Sequence, residues 1–198
     1  LCFYKKGGKM SNLYILAGGR SSRLGFDKTK IKISGVSIID MIDKNIGTLF
    51  NERFIVVKKK DKIITDRFKI VEDISDVAAP IIGIITALQS SSSDKNFICA
   101  CDMPFIKREL VEYLLDFDGY DAICPYYYNH YEPLCCVYNK TFLEIAEYYF
   151  KNGEFSLHKI LENTNVKKVD LEILKRYDQE LVSFVNINTM VDLEAIEC

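Results

Sequence analysis

Short apolar runs alternate with segments of helical period along the first two-thirds of the chain, and this alternation constrains the fold more than any other feature. Leu13–Ala17 is an apolar run that ends at Gly18-Gly19, the pattern of a buried strand entering a tight loop. Ile38, Ile39, Ile42, Ile46 and Leu49 recur at helical spacing, which predicts an amphipathic helix from about Ser37 to Phe50. Arg53–Val57 and Phe68–Val71 read as strands, and Pro80 and Gly83 bracket the start of a helix that ends before Ser90–Ser93. Asn96–Ala100 reads as a central strand, followed by Asp102-Met103-Pro104 and a helix from about Lys107 to Leu115. Such alternation implies a mostly parallel sheet covered on both faces, a three-layer Rossmann-like α/β sandwich. Ligands of these sheets gather beyond the carboxyl ends of the strands. Gly18, Asp73 and Asp102 each follow an expected strand, so they are expected to converge on one rim.

The last third is less regular. Ala122–Pro125 and Leu134–Tyr138 read as strands flanking Tyr126-Tyr127-Tyr128-Asn129-His130-Tyr131. Helices are expected at Thr141–Phe150, Ser156–Glu162 and Val191–Ile196, and a strand at Val166–Val169. Residues 1–10 read as a mobile extension, with Met10 a candidate natural start, and 11–198 as one domain. Hydrophobic residues at 48% can fill its core. A net charge of −2 with no long basic block argues against a nucleic-acid binder. The seven cysteines show neither a C-x-x-C pair nor regular spacing, so small buried hydrophobes in a reducing cytoplasm are expected. No apolar run has the ~18 residues of a membrane span, and the amino terminus lacks the apolar stretch of a signal peptide.

The segment from Leu16 to Lys28, Leu-Ala-Gly-Gly-Arg-Ser-Ser-Arg-Leu-Gly-Phe-Asp-Lys, carries the clearest chemistry. A glycine pair after a strand lets backbone N–H groups approach an anion closely. Arg23 and Lys28 add positive charge where a triphosphate would lie, and the variable Arg20 is a further candidate for phosphates. Neither a Walker loop nor G-x-G-x-x-G is present. A merely structural glycine turn is the competing reading. Asp102 suits a hard cation, since Mg²⁺ is commonly held by one or two carboxylates plus phosphates and water. It could instead cap the helix expected near Ile106. Two histidines, His130 and His158, are too few for a three-His metal site.

The segment resembles the L-A-G-G-x-S-x-R-x-G-x-D-K signature of the molybdenum cofactor guanylyltransferases, the MobA-type nucleotidyltransferases, and matches every fixed position. Further segments resemble the family's motifs in order: Val71-Glu72-Asp73 with Pro80-Ile81-Ile82-Gly83, Cys101-Asp102-Met103-Pro104, Glu132-Pro133-Leu134, and Phe184–Thr189. The resemblance implies the nucleotide-diphospho-sugar transferase fold, with an N-terminal nucleotide half and a C-terminal molybdopterin half. It implies transfer of GMP from GTP to the phosphate of molybdopterin or Mo-molybdopterin, with Mg²⁺ as cofactor and pyrophosphate released. Molybdenum-insertion proteins and molybdoenzyme chaperones would be transient partners. Leu16, Ala17, Gly18, Gly19, Lys28, Asp73 and Asp102 would bind nucleotide, with Arg23, Lys28 and Asp102 catalytic and Asp102 the metal ligand. Asn186 and Asn188 would face one side of a strand and present amides to the pterin.

Three departures from the family pattern stand out. Ala79 replaces a glycine before Pro80, so the backbone there must avoid positive φ. Lys58 stands where relatives place a nucleotide-contacting Asn, and lysine has no acceptor. Gly153-Glu154-Phe155-Ser156 replaces a basic run thought to hold the pterin phosphate. A CTP-dependent cytidylyltransferase is the nearest rival, although such relatives carry L-A-A-G. A sugar-phosphate nucleotidyltransferase lacks its usual G-x-G-x-R-x-x-P-x-T pattern here, and a non-catalytic nucleotide binder is disfavoured by intact Arg23, Lys28 and Asp102.

Overall fold

A computed structural model describes residues 10–17, 31–58, 66–187 and 192. Gly18, Gly19, Arg20, Arg23, Lys28 and Asn188 lie outside these residues, as does the closing helix expected at Val191–Ile196 except Asp192.

Alternate side chains of each central strand enter opposite hydrophobic layers, as a pleated backbone dictates. In β1 (Ser11–Leu16), Leu13 and Ile15 face one core and Tyr14 the other. A short hairpin follows, β2 (Lys32–Ile33) and β3 (Val36–Ser37), before α1 (Ile38–Ile46). Ser37 caps this helix: its hydroxyl accepts from the Asp40 N–H and donates to the Asp40 carboxylate. A 3₁₀ turn at Gly47–Leu49 completes the helical stretch. Then come β4 (Glu52–Val57), β5 (Lys69–Glu72), α2 (Pro80–Ser90), β6 (Lys95–Ala100) and α3 (Arg108–Leu115). Pro80 opens α2, where a missing N–H does no harm. Ala79 is extended at φ −138°, the region a pre-proline residue favours, so the glycine is dispensable there.

The chain closes with β7 (Ala122–Tyr127), β8 (His130–Tyr131), β9 (Cys135–Asn139), α4 (Phe142–Lys151), α5 (Leu157–Glu162), β10 (Val166–Asp170) and α6 (Leu171–Tyr177). The main sheet runs β10-β7-β9-β6-β1-β4-β5, with β8 pairing on β7. Within that path β9 alone is reversed, antiparallel to both β6 and β7. The mixed but mostly parallel sheet flanked by helices is the predicted α/β sandwich. Buried residues of α1, α3 and α6 fill one layer, and those of α2, α4 and α5 the other. Tyr14 and Phe54 stack across β1 and β4 at 4.5 Å between ring centroids, a pair worth about 0.5–1.5 kcal/mol beyond its burial. The five described cysteines are free and buried in these layers, as expected. No helix among the described residues is long and apolar enough to cross a membrane.

Candidate active site

Strand polarity places the chemistry. The carboxyl ends of β1, β4, β5, β6 and β7, and the amino end of the reversed β9, share one rim. Backbone hydrogen bonds level their ends: Ala17 N–H donates to Val56 O at 2.9 Å, and Cys101 N–H to Leu16 O at 3.1 Å. Asp73 N–H donates to Val57 O at 2.8 Å, and Ala100 N–H to Leu134 O at 3.0 Å. Leu16, Ala17, Asp73 and Asp102 therefore meet along one edge of the sheet.

Asp73 is held from within the protein. Its side chain is only 5% exposed, with Lys58 Nζ 3.0 Å from Oδ2 and the Thr86 hydroxyl donating to Oδ1 at 3.2 Å. Lys58 also donates to Ser75 O at 2.8 Å and Val77 O at 3.0 Å. An ammonium has three donors, and all three are spent on the loop from Asp73 to Val77. Lys58 thus fastens this loop rather than offering an amide-like contact to a nucleotide. Any nucleotide contact by Asp73 has to share the Lys58 and Thr86 partners.

Asp102 follows β6 and is partly exposed. It is no helix cap: α3 begins six residues later, its cap position is Lys107, and no side chain caps it. Asp102 O accepts from Ile187 N–H at 2.8 Å, which draws the 185–187 segment to the rim. That segment departs from the expected strand. Val182–Phe184 forms a 3₁₀ turn and residues 185–187 are not strand, as Asp178 accepts from the N–H groups of Val182 and Ser183 and curls the backbone. Asn186 is exposed, one residue before the Ile187 N–H that donates to Asp102 O.

Glu132, which the sequence marks only as part of a motif, feels the charge of Asp102. Its carboxylate accepts from the Tyr127 hydroxyl at 3.4 Å. Burial raises the Glu132 pKa above the usual carboxylate range and the charge of Asp102 adds to this, while the Tyr127 bond and His130 oppose it. Tyr127, raised by burial and by Glu132, stays a hydroxyl donor. Its ring stacks on Phe184 at 5.1 Å. Tyr128 and Asn129 turn the hairpin with positive φ, 49° and 61°, and Tyr128 is 75% exposed. His130 is exposed, as expected, and stacks on His158 at 5.2 Å.

The segment that replaces the family's basic run serves α5. Ser156 caps that helix, and Glu154 accepts from Ser156 N–H at 2.9 Å and pairs with Lys159 at 3.0 Å. A cleft of about 590 Å³ beside α3, lined by residues such as Asn45, Phe105, Arg108 and Val185, contains none of the predicted site residues among those described. The rim is the better candidate because strand ends and carboxylates converge there.

For Mg²⁺, Asp102 offers a hard carboxylate donor at the rim, and the described residues hold no cluster of three or more ligating side chains. That donor set fits an ion that takes one or two carboxylates and completes its shell with phosphates and water.

Comparison with known proteins agrees with this geometry. The MobA-like NTP transferase domain matches residues 13–169. A probable molybdenum cofactor guanylyltransferase of Natranaerobius thermophilus is 35% identical, covering 91% of each chain. One from Methanosarcina mazei is 34% identical, covering 91% of this chain and 87% of its own. The molybdopterin-guanine dinucleotide biosynthesis protein A of Archaeoglobus fulgidus superposes with a TM-score of 0.80 at 28% identity, covering 94% of this chain and 96% of that one. Rim geometry, motif order and these matches lead to one conclusion: the chain belongs to the MobA-like NTP transferase family and is a nucleotidyltransferase.

Proposed function

We propose that this protein transfers GMP from GTP to the terminal phosphate of molybdopterin or Mo-molybdopterin, releasing pyrophosphate. The observation that carries the reading is the meeting of Leu16-Ala17, Asp73 and Asp102 on one rim, in a chain whose relatives are named guanylyltransferases. Gly18 and Gly19 follow directly on Ala17, and with Arg23 and Lys28 they would hold the triphosphate. The acceptor's phosphate attacks the α-phosphorus, so no protein nucleophile is required. The protein contributes position and charge neutralisation, which dominate phosphoryl-type transfer. Asp102 would hold Mg²⁺, whose charge offsets that of the phosphates when bound. Asn186 and Asn188 would present amides to the acceptor, and a later hand-over to insertion proteins or chaperones fits the product.

Pyrophosphate release measured with each NTP, with and without molybdopterin, tests the reading. Release with GTP that depends on molybdopterin is expected. Release with CTP instead would make the protein a cytidylyltransferase of the same family.

A further inference from the structure

We propose that Glu132, with Tyr127 and the exposed ring of Tyr128, forms the subsite that reads the 2-amino-4-oxopyrimidine edge of the acceptor pterin. The inference rests on the acceptor assignment above and adds residues to it. Along the rim the strands run β5, β4, β1, β6, β9, β7. Asp73 follows β5 and Ala17 follows β1, so both belong to the nucleotide side of Asp102. Glu132 precedes β9 and Tyr127 ends β7, one and two strands beyond Asp102 in the opposite direction. With strands about 4.8 Å apart, an acceptor joined near Asp102 extends over this pair within roughly 10 Å.

The chemistry of the group suits that ligand. A pterin presents a ring N–H and an exocyclic amine side by side, and a carboxylate accepts such a fork with both oxygens. The long bond from Tyr127 takes one of about four acceptor positions on Glu132 and orients it. Tyr127 is itself fixed by stacking on Phe184. Tyr128 supplies a flat apolar surface beside them, its ring edge-on to Tyr127 at 5.6 Å. The turn that displays it is unusual: two successive positive φ angles favour Asn, Asp or Gly, yet a bulky aromatic residue occupies the first. The side chain is exposed in spite of that local preference, as a ring meant for a ligand would be.

Guanine carries the same edge, so the chemistry alone admits two occupants. Position favours the pterin, and a titration separates them. Fluorescence titration of the full chain would use pterin and lumazine, which lacks the 2-amino group, and binding of GTP would be compared with that of ITP, which lacks it likewise. Wild type should prefer pterin over lumazine by roughly ten- to a hundredfold, the range for hydrogen bonds to a charged group. Glu132→Gln should bring that ratio close to one and leave the GTP-to-ITP ratio and the melting temperature as in wild type. Tyr128→Ala, at an exposed turn and safe for folding, should weaken both pterin and lumazine several-fold with their ratio kept. A Glu132→Gln protein that retains the pterin preference overturns the subsite and leaves the acceptor assignment standing. Loss of GTP-over-ITP preference instead would put guanine at Glu132 and overturn it too. A wild type that binds no pterin, yet turns over GTP with another phosphorylated acceptor, overturns the acceptor assignment along with the subsite.

Discussion

At the scale of single residues, the site is set by where charge is compensated. The Asp73 carboxylate is buried against Lys58 and Thr86, and removing Lys58 leaves it, among the described residues, with the Thr86 hydroxyl. Breaking a fully buried pair costs about 3–5 kcal/mol; Lys58 is partly exposed, so water softens the loss. Lys58→Met should therefore lower stability in urea by about 1–3 kcal/mol, and should weaken GTP binding because the 73–77 loop loses its anchor. Unchanged GTP affinity would show that this loop does not border the nucleotide. Asp102→Asn should behave oppositely. With no helix cap to lose, stability should barely move, while turnover falls by orders of magnitude because a neutral amide is a poor ligand for a hard cation. The Mg²⁺ dependence of turnover in both proteins decides this. Asp73 and Asp102 stood out in the sequence because each comes just after an expected strand, Asp102 following Cys101 and Asp73 following Glu72. The partner of Lys58 was not: the pairing spans fifteen residues and exists only because β4 and β5 end level.

At the scale of elements, packing against the end of β1 decides what a substitution does. Gly83, in the first turns of α2, faces the end of β1; a Cβ there would lie 2.9 Å from Leu16 Cδ1. Gly83→Ala gains helix propensity of about 1 kcal/mol, offset by pushing aside Leu16, whose side-chain end can yield. Net stability should stay within about 1 kcal/mol of wild type. GTP affinity should fall, because Leu16 leads directly into Ala17 and Gly18; thermal melts and GTP titration of the same variant check the two halves. The long helices were readable from their apolar period and from Ser37 and Pro80 at their starts. Helix α6 escaped notice because Asp170 both ends β10 and caps the helix, accepting from Ile173 N–H, so no turn residues announce the change. Strands β2 and β3 are two residues each, too short to show alternation.

For the whole molecule, layer architecture followed from the sequence but strand order did not, since which strands pair is decided by long-range contacts. The reversal of β9 is the telling case: it brings Glu132, otherwise only a motif residue, to the same rim as Asp102. Ligand at that rim should stabilise the entire fold. GTP with Mg²⁺ at a hundred times its Kd adds about 2.7 kcal/mol, which for a chain of this size raises Tm by roughly 5–10 °C. A smaller shift with CTP than with GTP at equal concentration is expected by differential scanning calorimetry. The buried thiols give the molecule a second, kinetic readout. Cys99, Cys101 and Cys135 belong to one layer and Cys124 and Cys136 to the other. Burial pushes Cys99, Cys124 and Cys135 up, away from the reactive thiolate. A water-borne alkylating reagent can reach either set only when its layer opens. Equal alkylation rates for the two sets would mean that the sandwich breathes as one cooperative unit, and unequal rates would identify the side that loosens first.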